Sequence, residues 1–422
     1  MSLIKNSSWN IAGFAIPVII AVPAIGYLAR VLGAEKFGLF TLAYAVVGYA
    51  SIFDAGLSRA VIRAVAMNGG QDDKLGRILG TSTVFVIALS IIAAIFLYFG
   101  AENITHFLSV SDALQSDAID GFRLLSFAVT PLLLSTIWFS CLEGESKFLK
   151  LNILKVVTGT AIAAFPVLVV MLTSVSFESA VLGLVLGRIF TASVAYCYGL
   201  GRFRKKVMNF DRKTLGELLR FGGWITVSNV LSPVMVYFDR FFISNVLGAQ
   251  YVAFYTAPAE AVSRLLLVPM AVSKVIFPML SAKHKHANTH TALAYKLLIV
   301  FSVSTAMVVF LLADHILLLW LGPAYLGESV IVLRVLIIGF VFNSIAQIPF
   351  AKVQASGHSK ITALIHVAEI IPYVILMIIF VKQWSLVGAA IAWTLRVTAD
   401  YVLLEFASRK IDRIRQANYG LR

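Results

Sequence analysis

Apolar residues come in twelve long runs separated by short polar stretches, near residues 9–29, 37–57, 78–100, 119–141, 150–172, 179–200, 221–244, 252–273, 293–313, 328–351, 361–381 and 385–407. A helix needs roughly 20 apolar residues to cross about 30 Å of hydrocarbon, and each run is of that length. No connection exceeds about 20 residues, so no soluble domain fits between spans. The pattern predicts an all-α polytopic membrane protein of about twelve transmembrane helices that acts within the bilayer. The first run follows a single Lys5, outlasts the apolar core of a signal peptide and has no small-residue cleavage site behind it. It reads as a retained helix.

Lysine and arginine separate sharply between alternate connections. One set, which includes the N-terminus, the 201–220 loop and the C-terminal tail, carries 25; the other holds three, Arg30, Lys36 and Lys382. Positive charge stays on the cytoplasmic side, so both termini are expected there. An odd number of spans would scramble this alternation. The composition agrees: the 422 residues are 59% hydrophobic and 13% charged, with mean hydropathy +0.89, against about half apolar and a quarter charged in soluble domains. A net charge of +14 would raise nucleic acid as a partner for a soluble protein. Here the charge sits in the connections and its role is topological. Cys141 and Cys197 lie in apolar runs, with no metal-ligand spacing and no sign of a disulfide framework.

The chain repeats itself. Residues 31–41, VLGAEKFGLFT, return as VLGAQYVAFYT at 246–256, an offset of 215 that Trp9 and Trp224 keep. Gly144-Glu145-Ser146-Lys147 and Gly357-His358-Ser359-Lys360 sit at an offset of 213, before the fifth and eleventh runs. The repeat predicts two six-helix bundles, 1–208 and 209–422. Six being even, both enter the membrane in the same sense and are related by a pseudo-twofold along the membrane normal. Two such bundles enclose a central cavity that can open to either side.

No Gly-rich phosphate loop, zinc-type His/Glu helix or nucleophile elbow is present, so the chain reads as a non-enzyme without a cofactor. His284, His286 and His290 read as residues of a solvated cytoplasmic loop rather than metal ligands. The informative residues are charges inside the runs. Among them are the basic Arg123, Lys155, Arg188, Arg240, Arg264, Arg334 and Arg396 and the acidic Asp54, Asp239, Glu260, Glu369, Asp400 and Glu405. Each costs about 2.5–3.5 kcal/mol on insertion scales, so a wet cavity or a partner is expected.

Glu260 and Arg264 are four apart, as are Arg396 and Asp400, which predicts local pairs. Arg123, Arg188 and Arg334 have no acid at that spacing. They point to a cationic cavity for an anionic group, against snorkelling to the outer interface for Arg123, Arg334 and Arg240. Arg188 and Arg264 fall near mid-depth and are the strongest candidates. Arg59 and Arg63 share a face at the inner end of the second run, where they either receive an anionic head group or anchor the helix to anionic lipid. Glu260, Asp239 and Glu369 are the candidate proton or cation sites, with a structural role as the alternative. Nine prolines interrupt the spans, from Pro17 to Pro372, as suits hinged helices around a cavity.

Ser8-Trp9-Asn10, RVLGAEKFGLFTLA (30–43) and FDAGLSRAVIRAVA (53–66) resemble the polysaccharide-biosynthesis export family, the Wzx or RfbX-type flippases. These share a MATE-like superfamily with multidrug extruders and the lipid II flippase. The resemblance implies translocation of undecaprenyl-pyrophosphate-linked oligosaccharide across the bacterial inner membrane by alternating access, for O-antigen or related polysaccharide assembly. Membrane lipids, a glycan polymerase and a chain-length regulator are the partners it implies. The alternatives are a multidrug or cation antiporter of the same fold, which would favour acidic cavity residues, and a membrane-embedded polymerase, which would need a large outer loop. A peptidoglycan-precursor flippase usually has more than twelve helices.

Overall fold

The computed structural model describes residues 3–68, 71–201, 203, 209–281 and 287–420, with side chains left out at 3–15, 221–235, 278, 281, 287, 288, 359 and 414–420. Each of the twelve apolar runs falls on helix, and the described residues contain no strand. In chain order the α-helices are α1 (Leu3–Leu32), α2 (Ala34–Ala50), α3 (Leu57–Met67), α4 (Asp72–Phe107), α5 (Gln115–Gly144), α6 (Phe148–Leu172) and α7 (Phe177–Val194). There follow α8 (Arg212–Leu247), α9 (Ala249–Leu265), α10 (Leu267–Ser281), α11 (Ala287–Leu311), α12 (Ala313–Trp320), α13 (Glu328–Ala355) and α14 (Ser359–Gly420). Eight helical stretches among the described residues are long and apolar enough to cross a membrane. The last of them, Lys360–Arg413, carries two apolar runs, because α14 breaks at Trp384 and Ser385.

The chain forms two compact units, Met1–Ala253 and Phe254–Arg422. In the first, α4 and α7 pack on α5, α6 packs on α1 and α7, and α8 lies against α2, α3 and α4. In the second, α13 packs on α14, α11 and α10.

The repeated phrase marks a repeated junction. Gly33 (φ 75, ψ 171) separates α1 from α2, and Gly248 (φ 107, ψ 152) separates α8 from α9. Both sit in a backbone region open essentially to glycine alone. Helix therefore stops and restarts within one residue at both places. The second phrase behaves differently. Between α5 and α6, Ser146 N–H donates to Glu143 O and Lys147 N–H to Leu142 O, while between α13 and α14 Gly357 N–H donates to Gln354 O and His358 N–H to Val353 O. Both are Schellman stops with the left-handed residue at Ser146 and Gly357. The structural offset is thus 211, two short of the phrase match.

Local chemistry explains the other breaks. The run 252–273 is cut at Leu266, because Pro269 has no N–H and its ring crowds the carbonyl of Leu265. Asp211 caps α8, accepting from Lys213 N–H (3.4 Å), Thr214 N–H (3.0 Å) and the Thr214 hydroxyl. Those bonds hold its carboxyl below the usual carboxylate range. Close packing inside the first unit relies on small residues, as membrane helices require. A Cβ on Gly183 of α7 would lie 2.4 Å from Pro166 Cα of α6, so only glycine admits this approach.

Candidate functional site

In the first unit the second apolar run ends in one 3₁₀ turn, Ser51–Asp54, followed by left-handed Ala55 and Gly56. The chain then enters α3, which buries Leu57, Ala60, Val61 and Val65 and exposes Arg59 and Arg63. Asp54, although 95% buried by its 5% exposure, is satisfied locally. It accepts from Ser58 N–H at 3.2 Å and from the Ser58 hydroxyl at 2.6 Å. This carboxylate holds the start of α3.

Arg188 stands apart from the other candidates. It lies eleven residues into α7, about 16 Å along the helix and hence close to the middle of a span. Its Nε is buried without a hydrogen-bond partner, as are those of Arg123 and Arg264, and its guanidinium lies 5.9 Å from the centre of the Tyr44 ring on α2, a cation–π contact at the limit of range. No carboxylate of the described residues pairs with it. Arg123, by contrast, meets Asp120 at 3.4 Å, both more than two-fifths exposed. Asp239 and Arg240 are both buried, the Arg240 N–H donates to Asp239 Oδ1 at 2.8 Å, and the Arg240 guanidinium lies over the Tyr237 ring.

In the second unit Arg264 donates to Glu260 at 2.9 Å, the local pair expected from the spacing. Arg334 was expected to stand without an acid. It meets Asp314 at 2.5 Å and donates from Nε to Phe310 O, because α12 brings Asp314 across from twenty positions away. Spacing alone could not have shown that, and Asp120, three positions before Arg123, lay outside the four-residue test. The cationic set is thereby smaller than expected.

The pair Arg396–Asp400 also needs correction. The break at Trp384–Ser385 folds α14 back on itself, so residues near 366–373 lie opposite 396–400. Arg396 Nε lies 3.7 Å from Glu369 Oε2, and Asp400 Oδ1 lies 3.4 Å from His366 Nε2. Arg396 also lies over the Tyr373 ring at 5.3 Å. His366 was not singled out from sequence. Its one signal was a histidine three positions before a mid-span glutamate. Of the three loop histidines, His284 and His286 lie outside the described residues, while His290 is on α11.

The family described as polysaccharide biosynthesis protein matches residues 3–284. A Shigella flexneri protein described as a candidate O-antigen transporter is 41% identical over 408 residues, covering 96% of this chain and 97% of that one. Among solved structures, an inward-facing multidrug resistance MATE family transporter of the MOP superfamily superposes with TM-score 0.77 at 18% identity, over 96% of this chain and 99% of its own. The lipid II flippase MurJ, in an inward closed conformation, superposes with TM-score 0.74 at 18% identity, over 94% and 87%. At such identities the two structures share the fold.

Proposed function

The chain belongs to the polysaccharide biosynthesis protein family, and from that premise we infer that it is a flippase for lipid-linked oligosaccharides. Its substrate class is undecaprenyl-pyrophosphate-linked repeat units of O-antigen or a related polysaccharide. The observation that carries the reading is Arg188, a mid-span guanidinium that no carboxylate of the described residues neutralises. A bare cation at that depth is costly, and a pyrophosphate arriving beside it offsets the cost with charge-assisted hydrogen bonds. The glycan then travels in water while the prenyl chain stays in lipid.

The remaining candidates take graded roles. Arg59 and Arg63, exposed on α3, meet the anionic head group first. Arg264 shares its charge with Glu260 and contributes once that pair opens. Arg123 and Arg334, each already facing an aspartate, rank last. Glu260, Asp239 and Glu369 are the coupling candidates. The repeat supports two halves, 1–208 and 209–422, as the moving parts of alternating access. The charge bias supports an inner-membrane protein with both termini in the cytoplasm, delivering product to a glycan polymerase and its chain-length regulator. Multidrug antiport ranks behind, because the relative that matches this chain over nearly its whole length is described as a candidate O-antigen transporter.

The test is reconstitution of the full chain in liposomes with a fluorescent undecaprenyl-pyrophosphate-linked sugar, its leaflet read with a membrane-impermeant quencher. Movement well above protein-free vesicles is expected. A rate equal to protein-free vesicles would overturn the reading.

A further inference from the structure

The second unit holds a charged group that substrate binding does not use. Glu369 is 6% exposed, and neither of its oxygens has a hydrogen-bond donor. Its ion pair with Arg396 is long at 3.7 Å. Asp400 and His366 stand close enough to act on it electrostatically, and exposure rises along the group, from 6% at Glu369 through 18% at Asp400 to 39% at His366. A buried carboxylate ordinarily collects hydrogen bonds, so this one lacks what an ionised acid requires.

We propose that Glu369, Asp400, His366 and Arg396 form a proton-loading site whose exposed end is the His366 imidazole. With the imidazole neutral and both carboxylates ionised, the four carry one net negative charge in a low-dielectric span. Uptake of one proton from water makes the group neutral. The proton binds first at His366 Nε2, 3.4 Å from Asp400 Oδ1, and comes to rest on a Glu369 oxygen, which turns from acceptor into O–H donor. Release reverses the path and consumes nothing else. The neighbours leave this balance intact. From α13, Phe350 stacks on His366 with ring centres 5.9 Å apart, and Lys352 is engaged by Asp412. From α11, Tyr295 meets Tyr401 hydroxyl to hydroxyl at 2.7 Å, one residue past Asp400. Tyr373 lies flat beneath Arg396. A metal cation fits poorly, since it needs several oxygen ligands and would sit beside a fixed guanidinium.

The transport consequence rests on the flippase reading; the proton site itself does not. Two measurements on the full chain keep them apart. In detergent, infrared difference spectra between acid and alkaline samples should contain a protonated-carboxyl stretch that Glu369→Gln removes and Glu369→Asp keeps at a shifted position. If the wild-type band survives unchanged in Glu369→Gln and in Asp400→Asn, the site is not there. In proteoliposomes with the same fluorescent lipid-linked sugar, a one-unit pH difference should shift the final leaflet ratio by up to about tenfold for one-for-one coupling. That shift should vanish in Glu369→Gln and return in Glu369→Asp. A shift driven by a sodium gradient instead would overturn the proposal. Failure of the wild type to move the sugar at all would count against the flippase, with the infrared result still deciding the proton site.

Discussion

Gly38 and Ala253 occupy equivalent places in the two copies of the repeated phrase, and in the folded chain they meet. A Cβ on Gly38 would lie 3.3 Å from Ala253 N and 2.6 Å from Ala249 O. The copies pack at the same small position, backbone against backbone. Gly38→Ala should therefore destabilise the protein by roughly 1–3 kcal/mol, the usual cost of overpacking. Thermal unfolding of the detergent-solubilised chain checks this, and an unchanged midpoint would mean that the approach is looser than described.

Arg188→Ala should lower transport of the lipid-linked sugar at least about tenfold, as loss of a charge-assisted contact of about 1.5–3 kcal/mol implies. Arg188→Lys should recover only part of it, since a point charge does not replace a bidentate fork. Arg123→Ala, removing a guanidinium already facing Asp120, should stay within about twofold, in keeping with the small worth of exposed pairs. Equal losses in both alanine variants would remove Arg188 from its special position.

Ser58→Ala should strand the buried Asp54 carboxylate without its hydroxyl donor, at a cost of about 1–3 kcal/mol. Ser58→Thr keeps the hydroxyl and should recover most of that loss. Denaturation of both variants at matched lipid content reads the difference.

Asp211 gives a pH signature outside the spans. Its folded carboxyl is held below the usual range by Thr214 and Lys213, so its contribution is fully present above the unfolded value of about 3.9 and fades as pH falls through the lower folded value. The stability gap between wild type and Asp211→Ala should accordingly stay constant from neutral pH down to that region and close only below it. A gap that closes near pH 6 would assign the effect to another group.

Much of this molecule was legible from the chain because hydrocarbon leaves few options: a run of some twenty apolar residues crosses it as a helix or not at all. The runs followed from that, while the repeat was carried by the matching phrases at 31–41 and 246–256 and the family by the resemblance of the phrases at 8–10, 30–43 and 53–66. Charge pairing was legible only where partners are helical neighbours, as with Glu260 and Arg264. It failed for Arg334 and Arg396, whose partners arrive through tertiary folding from Asp314 and Glu369. His366 stayed hidden for the same reason, since its significance comes from Asp400, thirty-four positions on. The two-residue slip at the second repeat phrase has a similar origin: helix stops follow backbone hydrogen bonding, which tolerates Ser146 on one side and takes Gly357 on the other.

The elbows at Gly33 and Gly248 have no slack to give. One extra residue on the α2 side would swing every later side chain of that helix by about 100° about its axis and carry Gly38 away from Ala249. Length is therefore guarded as strictly as identity at these corners, and a single-codon insertion there should be worse tolerated than most substitutions in the same stretch.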